Sequence, residues 1–137
     1  MNDILIPCIA LIGLTATVWL VSLWRRIAEI RARQLNPQLL ATQREISKLL
    51  KNTSASDNFK NLFEVPMLFY ILCFALFVTR NESVGYLIAA WVFVALRMAH
   101  SLVQLTYNRV THRFSCWLTS TLCLFGMWSV FAIERLS

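Results

Sequence analysis

Charged residues are scarce in this 137-residue chain, and their scarcity excludes an ordinary water-soluble domain. Charged side chains make up 15% of the residues and hydrophobic ones 58%, whereas soluble domains carry about 25% charged and 45–50% apolar residues. Glycine and proline are also few, with three of each, which excludes collagen-like and low-complexity chains. The length and composition therefore predict a single membrane-embedded domain covering residues 1–137.

Closely spaced cysteines are absent, which argues against a metal or redox motif. Cys8, Cys73, Cys116 and Cys123 are scattered through separate apolar stretches. Structural zinc sites and redox dithiols are typically built from cysteine pairs a few residues apart. We therefore expect no metal site, and we expect these thiols to pack as small apolar side chains.

Long apolar segments are what the chain does contain. A helix rises about 1.5 Å per residue, so about 20 apolar residues cross a hydrocarbon core of roughly 30 Å. Helices also satisfy every backbone group within one spanning segment. The sequence therefore predicts an all-α integral membrane bundle of four antiparallel helices. The expected helices lie at about residues 4–30, 59–79, 84–108 and 114–134, with a loop at about 31–58.

Cationic residues are distributed unequally between the two ends of these predicted helices. One side carries Arg25, Arg26, Arg31, Arg33, Arg44, Lys48, Lys51, Arg109 and Arg113, and the other carries Arg80 and Arg135. The positive-inside rule then predicts a cytoplasmic first loop and both termini outside. Cations that face anionic lipid are sufficient to explain the net charge of +6, so we expect no nucleic-acid partner.

Ionisable residues inside the apolar segments are the strongest functional signal. Glu64 lies in the second segment, and Arg97 and His100 lie in the third. A charged side chain at the bilayer centre costs about 2.5–3.5 kcal/mol on insertion scales, so such residues face the bundle interior or a partner. Their helical spacing predicts one polar ridge, formed by Arg97, His100, Gln104 and Tyr107.

The direction of the chain brings several polar residues to one depth near the cytoplasmic face. They are Asn61, Glu64, His100, Gln104 and Tyr107, with Arg97 deeper and Arg113 at the start of the fourth helix. This arrangement predicts a pocket that opens to the cytoplasm, with a cationic rim and a carboxylate inside. Two structural alternatives stay open, a Lys60–Glu64 pair at the helix end and an Arg97–Glu64 salt bridge inside the bundle.

Arginines beside an acid suit a ligand that carries both carboxylates and an amine. Glutathione has two carboxylates, one ammonium group and a thiol. Lowering the thiol pKa by about two units takes about 2.7 kcal/mol of differential stabilisation, which a nearby arginine can supply. Glutathione is therefore the candidate co-substrate.

The same residues resemble the MAPEG family, the membrane-associated proteins in eicosanoid and glutathione metabolism. The resemblance rests on "NLFE" at Asn61–Glu64 and "RMAHSLVQLTYN" at Arg97–Asn108, in a chain with four apolar segments and a long first loop. It implies a homotrimer with sites between neighbouring subunits. These segments look most similar to those of small bacterial members of the family, which implies a bacterial inner membrane.

The resemblance also implies roles for individual residues. Arg113 falls where family enzymes carry the arginine proposed to stabilise the glutathione thiolate, so it is the predicted catalytic residue. The predicted glutathione-binding residues are Lys60, Asn61, Glu64, Arg97, His100, Gln104 and Tyr107. Asp57 is a departure, because family enzymes usually carry an arginine at that position.

Several functions compete on this scaffold. The first is a glutathione transferase or peroxidase that acts on a lipophilic substrate dissolved in the bilayer. The second is a non-catalytic lipid- or ligand-binding protein, which the missing arginine favours. A small drug exporter is disfavoured, because the segment Ile4–Trp24 contains no membrane-buried acid. A purely structural bundle would use Glu64 and Arg97 as internal contacts.

Overall fold

Helices account for all the regular structure in the part of the chain that the structure describes. The computed structural model describes residues 3–36, 38, 42, 45, 48, 53–81 and 83–136. The helices are α1 Leu5–Ala32, α2 Ser54–Asn61, α3 Val65–Val78, α4 Val84–Leu105 and α5 Val110–Leu136. Four stretches are long and apolar enough to cross a membrane, with α2 and α3 forming one of them. The predicted fold class, an all-α membrane bundle with four spans, is confirmed.

The second span is interrupted where the sequence predicted one unbroken helix at 59–79. Pro66 lies in the first turn of α3. A proline has no backbone N–H, and its ring clashes with the carbonyl group four residues earlier, here that of Leu62. The helix therefore ends at Asn61 and restarts at Val65. The break leaves the Asn61 carbonyl without its usual helical donor.

The remaining helix bounds also differ from the expected ones. The second span begins at Ser54 rather than 59, α4 ends at Leu105 rather than 108, and α5 begins at Val110 rather than 114. Asn108 has a φ of 46°, a left-handed conformation that asparagine tolerates better than most residues. Tyr107 consequently leaves the helix and lies in the turn. The predicted loop at 31–58 falls partly outside the described residues.

α4 is the central helix, and one of its faces is buried along its whole length. The buried residues are Tyr86, Ala90, Phe93, Val94, Arg97, His100, Ser101 and Gln104. Phe93 stacks on Phe69 of α3 with ring centroids 4.5 Å apart. Large apolar side chains such as Ile9, Trp91 and Ile133 are exposed on the outside of the bundle, as expected for surfaces that face lipid.

Candidate functional site

Arg97 is completely buried, and its guanidinium group reaches from α4 to the end of α2. Its Nη2 donates a hydrogen bond to the Asn61 carbonyl oxygen at 2.7 Å, the carbonyl released by the Pro66 break. Its Nε and Nη1 have no hydrogen-bond partner among the described residues. Burying unpaired donors on a cation is costly, so this position has the capacity to bind a further acceptor.

Amide and hydroxyl side chains continue the polar contact between α2 and α4. The Asn61 Nδ2 donates to Gln104 Oε1 at 3.3 Å, so Asn61 contacts Arg97 through its backbone and Gln104 through its side chain. Further along the interface, Ser101 Oγ donates to Asn58 Oδ1 at 3.2 Å. The ridge members Arg97, His100 and Gln104 are therefore buried on one face of α4.

His100 connects α4 to the first turn of α5. Its Nδ1 lies 3.0 Å from the Arg113 carbonyl oxygen. A carbonyl oxygen only accepts hydrogen bonds, so Nδ1 carries a proton, and in a neutral ring Nε2 is then the acceptor. The Arg113 side chain is held as well, because its Nη1 donates to Asn108 Oδ1 at 2.9 Å. Hydrogen bonds therefore hold both the backbone carbonyl and the guanidinium group of Arg113.

These residues surround one cavity of about 290 Å³. Asn61, His100 and Arg113 supply its polar lining, and Val110, Phe114 and Trp117 of α5 form an apolar wall. The volume is at the lower end of the range for ligand pockets, about 300–1,000 Å³. The cavity therefore combines a cation and hydrogen-bonding groups with an apolar wall, which suits a small polar ligand beside a lipophilic one.

Glu64 lies at the break itself, with an exposed side chain that does not line the cavity. Its charge interacts with that of Arg97 through space, although neither residue makes a direct ion pair. Among the described residues, the ion pair in direct contact is Arg33–Glu29 at 3.1 Å. Neither the Lys60–Glu64 pair nor the Arg97–Glu64 salt bridge that the sequence left open is therefore formed.

Lys60 and Tyr107, two further predicted site residues, also lie away from the cavity. Lys60 lines a separate groove on the side of α2 that faces α1, together with Arg26. Tyr107 is 61% exposed, and its hydroxyl group lies 3.0 Å from His112 Nδ1. The structure thus brings Asn61, His100 and Arg113 together and leaves Lys60 and Tyr107 outside.

Sequence reasoning missed the residues that hold this site in place. The break at Pro66 frees a carbonyl for Arg97, and Asn108, in the turn after α4, accepts a hydrogen bond from the Arg113 side chain. Arg25 Nη2 donates to the Leu105 carbonyl at 2.7 Å, where a cation also interacts favourably with the C-terminus of α4. The sequence signals for these residues were a proline, Pro66, early in the second predicted span, and an asparagine, Asn108, at the end of the third.

Comparison with known proteins identifies a family for this chain but no individual matching protein. No curated protein and no solved structure matches the chain. The model of the MAPEG family matches residues 4–133, which include the first three membrane spans, most of the fourth and every residue around the cavity. The chain belongs to the MAPEG family, and it is an integral membrane protein of this glutathione and eicosanoid metabolism family.

Proposed function

We propose that this protein is a glutathione-dependent transferase or peroxidase that acts on a lipophilic substrate from the bilayer. The observation that carries the proposal is the cavity that Arg113, Asn61 and His100 line together with an apolar wall. Members of the family generally use glutathione. A cation, an amide and an apolar surface are the groups needed to bring a thiol to a hydrophobic electrophile.

Arg113 is the proposed catalytic residue. A guanidinium group beside the glutathione sulfur favours the thiolate over the thiol, and the thiolate is the nucleophile. Asn61 hydrogen-bonds the peptide, and the unpaired N–H groups of Arg97 provide donors for a carboxylate. His100 acts as a positioning residue through its contact with the Arg113 backbone. The exposed carboxylate of Glu64 is available for the ammonium group of glutathione.

The lipophilic substrate enters from the side of α5. Val110 and Phe114 of the apolar wall are 64% and 55% exposed, respectively, so this wall is continuous with the lipid-facing surface of the bundle. A molecule dissolved in the bilayer can therefore reach the cavity without crossing water. In a transferase, the thiolate sulfur forms a bond to the electrophilic carbon of the lipophilic substrate, and the leaving group departs from that carbon.

We further propose a homotrimer in a bacterial inner membrane, with the cavity facing the cytoplasm. One subunit supplies a small, open cavity, and two nitrogens of the buried Arg97 have no partner among its described residues; a neighbouring copy would add the missing walls. The cations at the end of α1 and around α5's first turn support the orientation. Light scattering of the purified protein tests the copy number, and reporter fusions to the termini test the orientation.

The competing proposal is a non-catalytic ligand-binding protein on the same scaffold. Asp57 stands where family enzymes usually carry an arginine, and its carboxylate accepts a hydrogen bond from Thr53 Oγ1 at 2.9 Å. A glutathione carboxylate therefore loses one anchor. This feature favours binding without turnover.

Equilibrium binding of glutathione to the purified protein tests the site. We expect Asn61→Ala and Arg113→Gln to weaken binding about tenfold, because a hydrogen bond to a charged group contributes about 1.5–3 kcal/mol. Arg109→Gln is the matched control, since Arg109 is exposed in the same turn but does not line the cavity. Equal losses in Arg113→Gln and Arg109→Gln, or no binding by the unaltered protein, would overturn the proposal.

Turnover of a chloronitrobenzene electrophile then separates the two functions. An enzyme shows conjugation, and Arg113→Gln lowers its kcat at least about tenfold through loss of the thiolate-stabilising cation. Thiolate absorbance of bound glutathione should fall in parallel. Binding without any conjugation or peroxide reduction would instead support the ligand-binding protein.

A further inference from the structure

A second cavity lies between α4 and α5, at the opposite end of these helices from the glutathione cavity. It has a volume of about 400 Å³, within the range of about 300–1,000 Å³ for ligand pockets. Its lining residues are Ser83, Gly85, Tyr86, Ala89, Cys123, Gly126, Met127, Val130 and Glu134. None of them lines the glutathione cavity, so the proposed function does not use this space.

A carboxylate lies at one end of the second cavity. Glu134 Oε2 accepts hydrogen bonds from Asn81 Nδ2 at 2.6 Å and from the Tyr86 hydroxyl group at 2.9 Å. Both donors bond the same oxygen, so within the described part of the chain Oε1 is still available as an acceptor. Glu134 also forms no direct ion pair with any described residue, and the guanidinium group of its neighbour Arg135 lies over the Phe131 ring, 5.3 Å from the centroid. The carboxylate is therefore held in position with its charge unpaired.

Two hydroxyl groups lie beside this carboxylate and add further acceptors. Ser83 is the N-cap residue of α4, yet its side chain makes no capping hydrogen bond, although serine at that position usually accepts one from a backbone N–H. The Tyr86 hydroxyl group donates to Glu134, and its oxygen still has lone pairs with which to accept. No described lining residue is a lysine, arginine or histidine. The polar end of the cavity is therefore suited to a cation that donates hydrogen bonds.

The rest of the cavity is apolar and opens toward lipid. A Cβ atom added at Gly126 would meet no atom within 4 Å, and Val130 is 49% exposed on the same helix. The distance along α5 from Glu134 to Cys123 is roughly 16 Å at about 1.5 Å per residue. Half of a hydrocarbon core measures roughly 15 Å. A molecule whose polar group binds Glu134 can therefore extend an apolar chain across one leaflet.

We propose that this cavity binds a single-chain lipophilic amine. The primary ammonium group has three N–H donors, and it donates to Glu134 Oε1, Ser83 Oγ and the Tyr86 hydroxyl oxygen. The apolar chain lies beside Gly126 and Val130. A phospholipid with an amino headgroup fits less well, because its phosphate would lie near the carboxylate without a cation among the described lining residues.

The amine site is independent of the glutathione cavity. The glutathione cavity is lined by residues of α5 from Val110 to Trp117, and the second cavity by residues of α5 from Cys123 to Glu134. Failure of one proposal therefore leaves the other standing.

Native mass spectrometry of the protein in a non-ionic detergent, titrated with dodecylamine at neutral pH, tests the proposal. We expect saturable binding of one amine per protein copy. Glu134→Gln keeps an oxygen acceptor for Asn81 and Tyr86 but removes the charge, so it should weaken binding at least about tenfold.

Asp3→Asn is the matched control for the lost charge. Four spans bring both ends of the chain to the same side of the membrane, and Asp3 does not line the cavity. An asparagine can still accept the hydrogen bond from the Leu5 N–H. This change should alter amine binding less than about threefold. Equal losses in Glu134→Gln and Asp3→Asn would overturn the proposal, because general surface charge would then explain binding.

The headgroup is tested with dodecyltrimethylammonium, which has the same chain and charge but no N–H donor. It should bind at least about tenfold more weakly than dodecylamine, from the loss of hydrogen bonds to a carboxylate. Equal binding of the two cations would overturn the hydrogen-bonded site. Displacement of dodecylamine by an equal concentration of phosphatidylethanolamine would also overturn it and would assign the cavity to a phospholipid.

The chain end is tested by filling the cavity. Gly126→Leu adds a side chain where the structure has open space, and leucine favours a helix more than glycine does. We expect it to weaken dodecylamine binding at least about tenfold while the Glu134 carboxylate remains. Gly13→Leu is the control, because Gly13 of α1 also has open space around it but does not line the cavity. No effect of Gly126→Leu would overturn the proposal.

The same spectra report the number of protein copies. Glu134→Gln and Gly126→Leu should lose the amine at an unchanged copy number. If Gly126→Leu instead dissociates the copies and leaves amine binding intact, the cavity is a contact between copies, and the proposal is wrong.

Discussion

The buried face of α4 is apolar in its first half and polar in its second. The first half contributes Ala90, Phe93 and Val94, and the second contributes Arg97, His100, Ser101 and Gln104. The apolar half packs against α3 through contacts such as the Phe93–Phe69 stack. The polar half instead depends on hydrogen bonds to groups on α2 and at the start of α5.

The two halves differ in how completely one subunit satisfies them. Ala90, Phe93 and Val94 in the apolar half need only van der Waals contacts, and one copy of the chain supplies these. In the polar half, His100 Nε2 and two nitrogens of Arg97 have no partner among the described residues, and the same is true of Asn58 Nδ2 on the facing helix α2. Buried polar groups are nearly always paired in native proteins. The difference indicates that packing stabilises one half, whereas the other leaves polar groups that a further partner can satisfy.

The largest expected effect on stability lies in the apolar half. Phe93→Ala removes a completely buried ring and leaves a cavity, so we expect the free energy of unfolding to fall by about 3 kcal/mol. This is the lower end of the range for such changes, because lipid also solvates apolar surface in the unpacked state. Unfolding in mixed detergent micelles measures it.

Phe125→Ala is the matched control for that prediction. Phe125 is 51% exposed on α5, and we expect its replacement to cost less than about 1 kcal/mol. Glutathione binding at non-denaturing temperature should be unchanged in both variants. A loss of binding in Phe93→Ala, in protein that is still folded, would show that the two halves are coupled rather than separate.

The next largest expected effect is on glutathione binding, and it concerns the break between α2 and α3 at Pro66. Pro66→Ala restores a backbone N–H and removes the clash with the Leu62 carbonyl, so the helix can continue from Asn61 to Val65. The Asn61 carbonyl would then accept from the Val65 N–H, which weakens its bond to Arg97. We expect glutathione binding to weaken by about tenfold, equivalent to about 1.4 kcal/mol, with little loss of stability. Calorimetric binding and detergent unfolding measure the two quantities.

Pro7→Ala controls for the general effect of replacing a proline. Pro7 lies in the first turn of α1, where a proline fits without breaking a helix. Its replacement should leave glutathione binding unchanged. Equal binding by Pro66→Ala and the unaltered protein would mean that the break does not position Arg97 for the ligand.

The sequence predicts much of this arrangement because each signal depends on one helix at a time. Apolar length alone locates the spans, and the periodicity of α4 places Arg97, His100 and Gln104 on one buried face. The N-terminal turn of α5 brings Arg113 to the same end, because short connections make successive helices antiparallel. None of these inferences requires knowing how the helices pack against one another.

The rest depends on which helix each side chain faces, and periodicity does not determine that. Lys60 and Asn61 are neighbours about 100° apart around a helix, and packing directs one toward α1 and the other toward α4 and the cavity. Tyr107 continues the ridge only if α4 continues, whereas the left-handed Asn108 follows a helix that ends at Leu105. Glu64 lies in a break that a helical pattern cannot represent.

The smallest effects come from a pair of tyrosines, one near each end of α4. The Tyr86 hydroxyl is buried and donates to Glu134 Oε2 at 2.9 Å, an oxygen that also accepts from Asn81. Tyr86→Phe should therefore lower the free energy of unfolding by about 1 kcal/mol without affecting glutathione binding. Tyr107→Phe should change neither quantity measurably, because the Tyr107 hydroxyl is exposed and its hydrogen-bond partner in the described part of the chain is the exposed His112. A tenfold loss of glutathione binding in Tyr107→Phe would mean that the turn after α4 folds over the ligand, and the polar half would then extend beyond the helix that defines it.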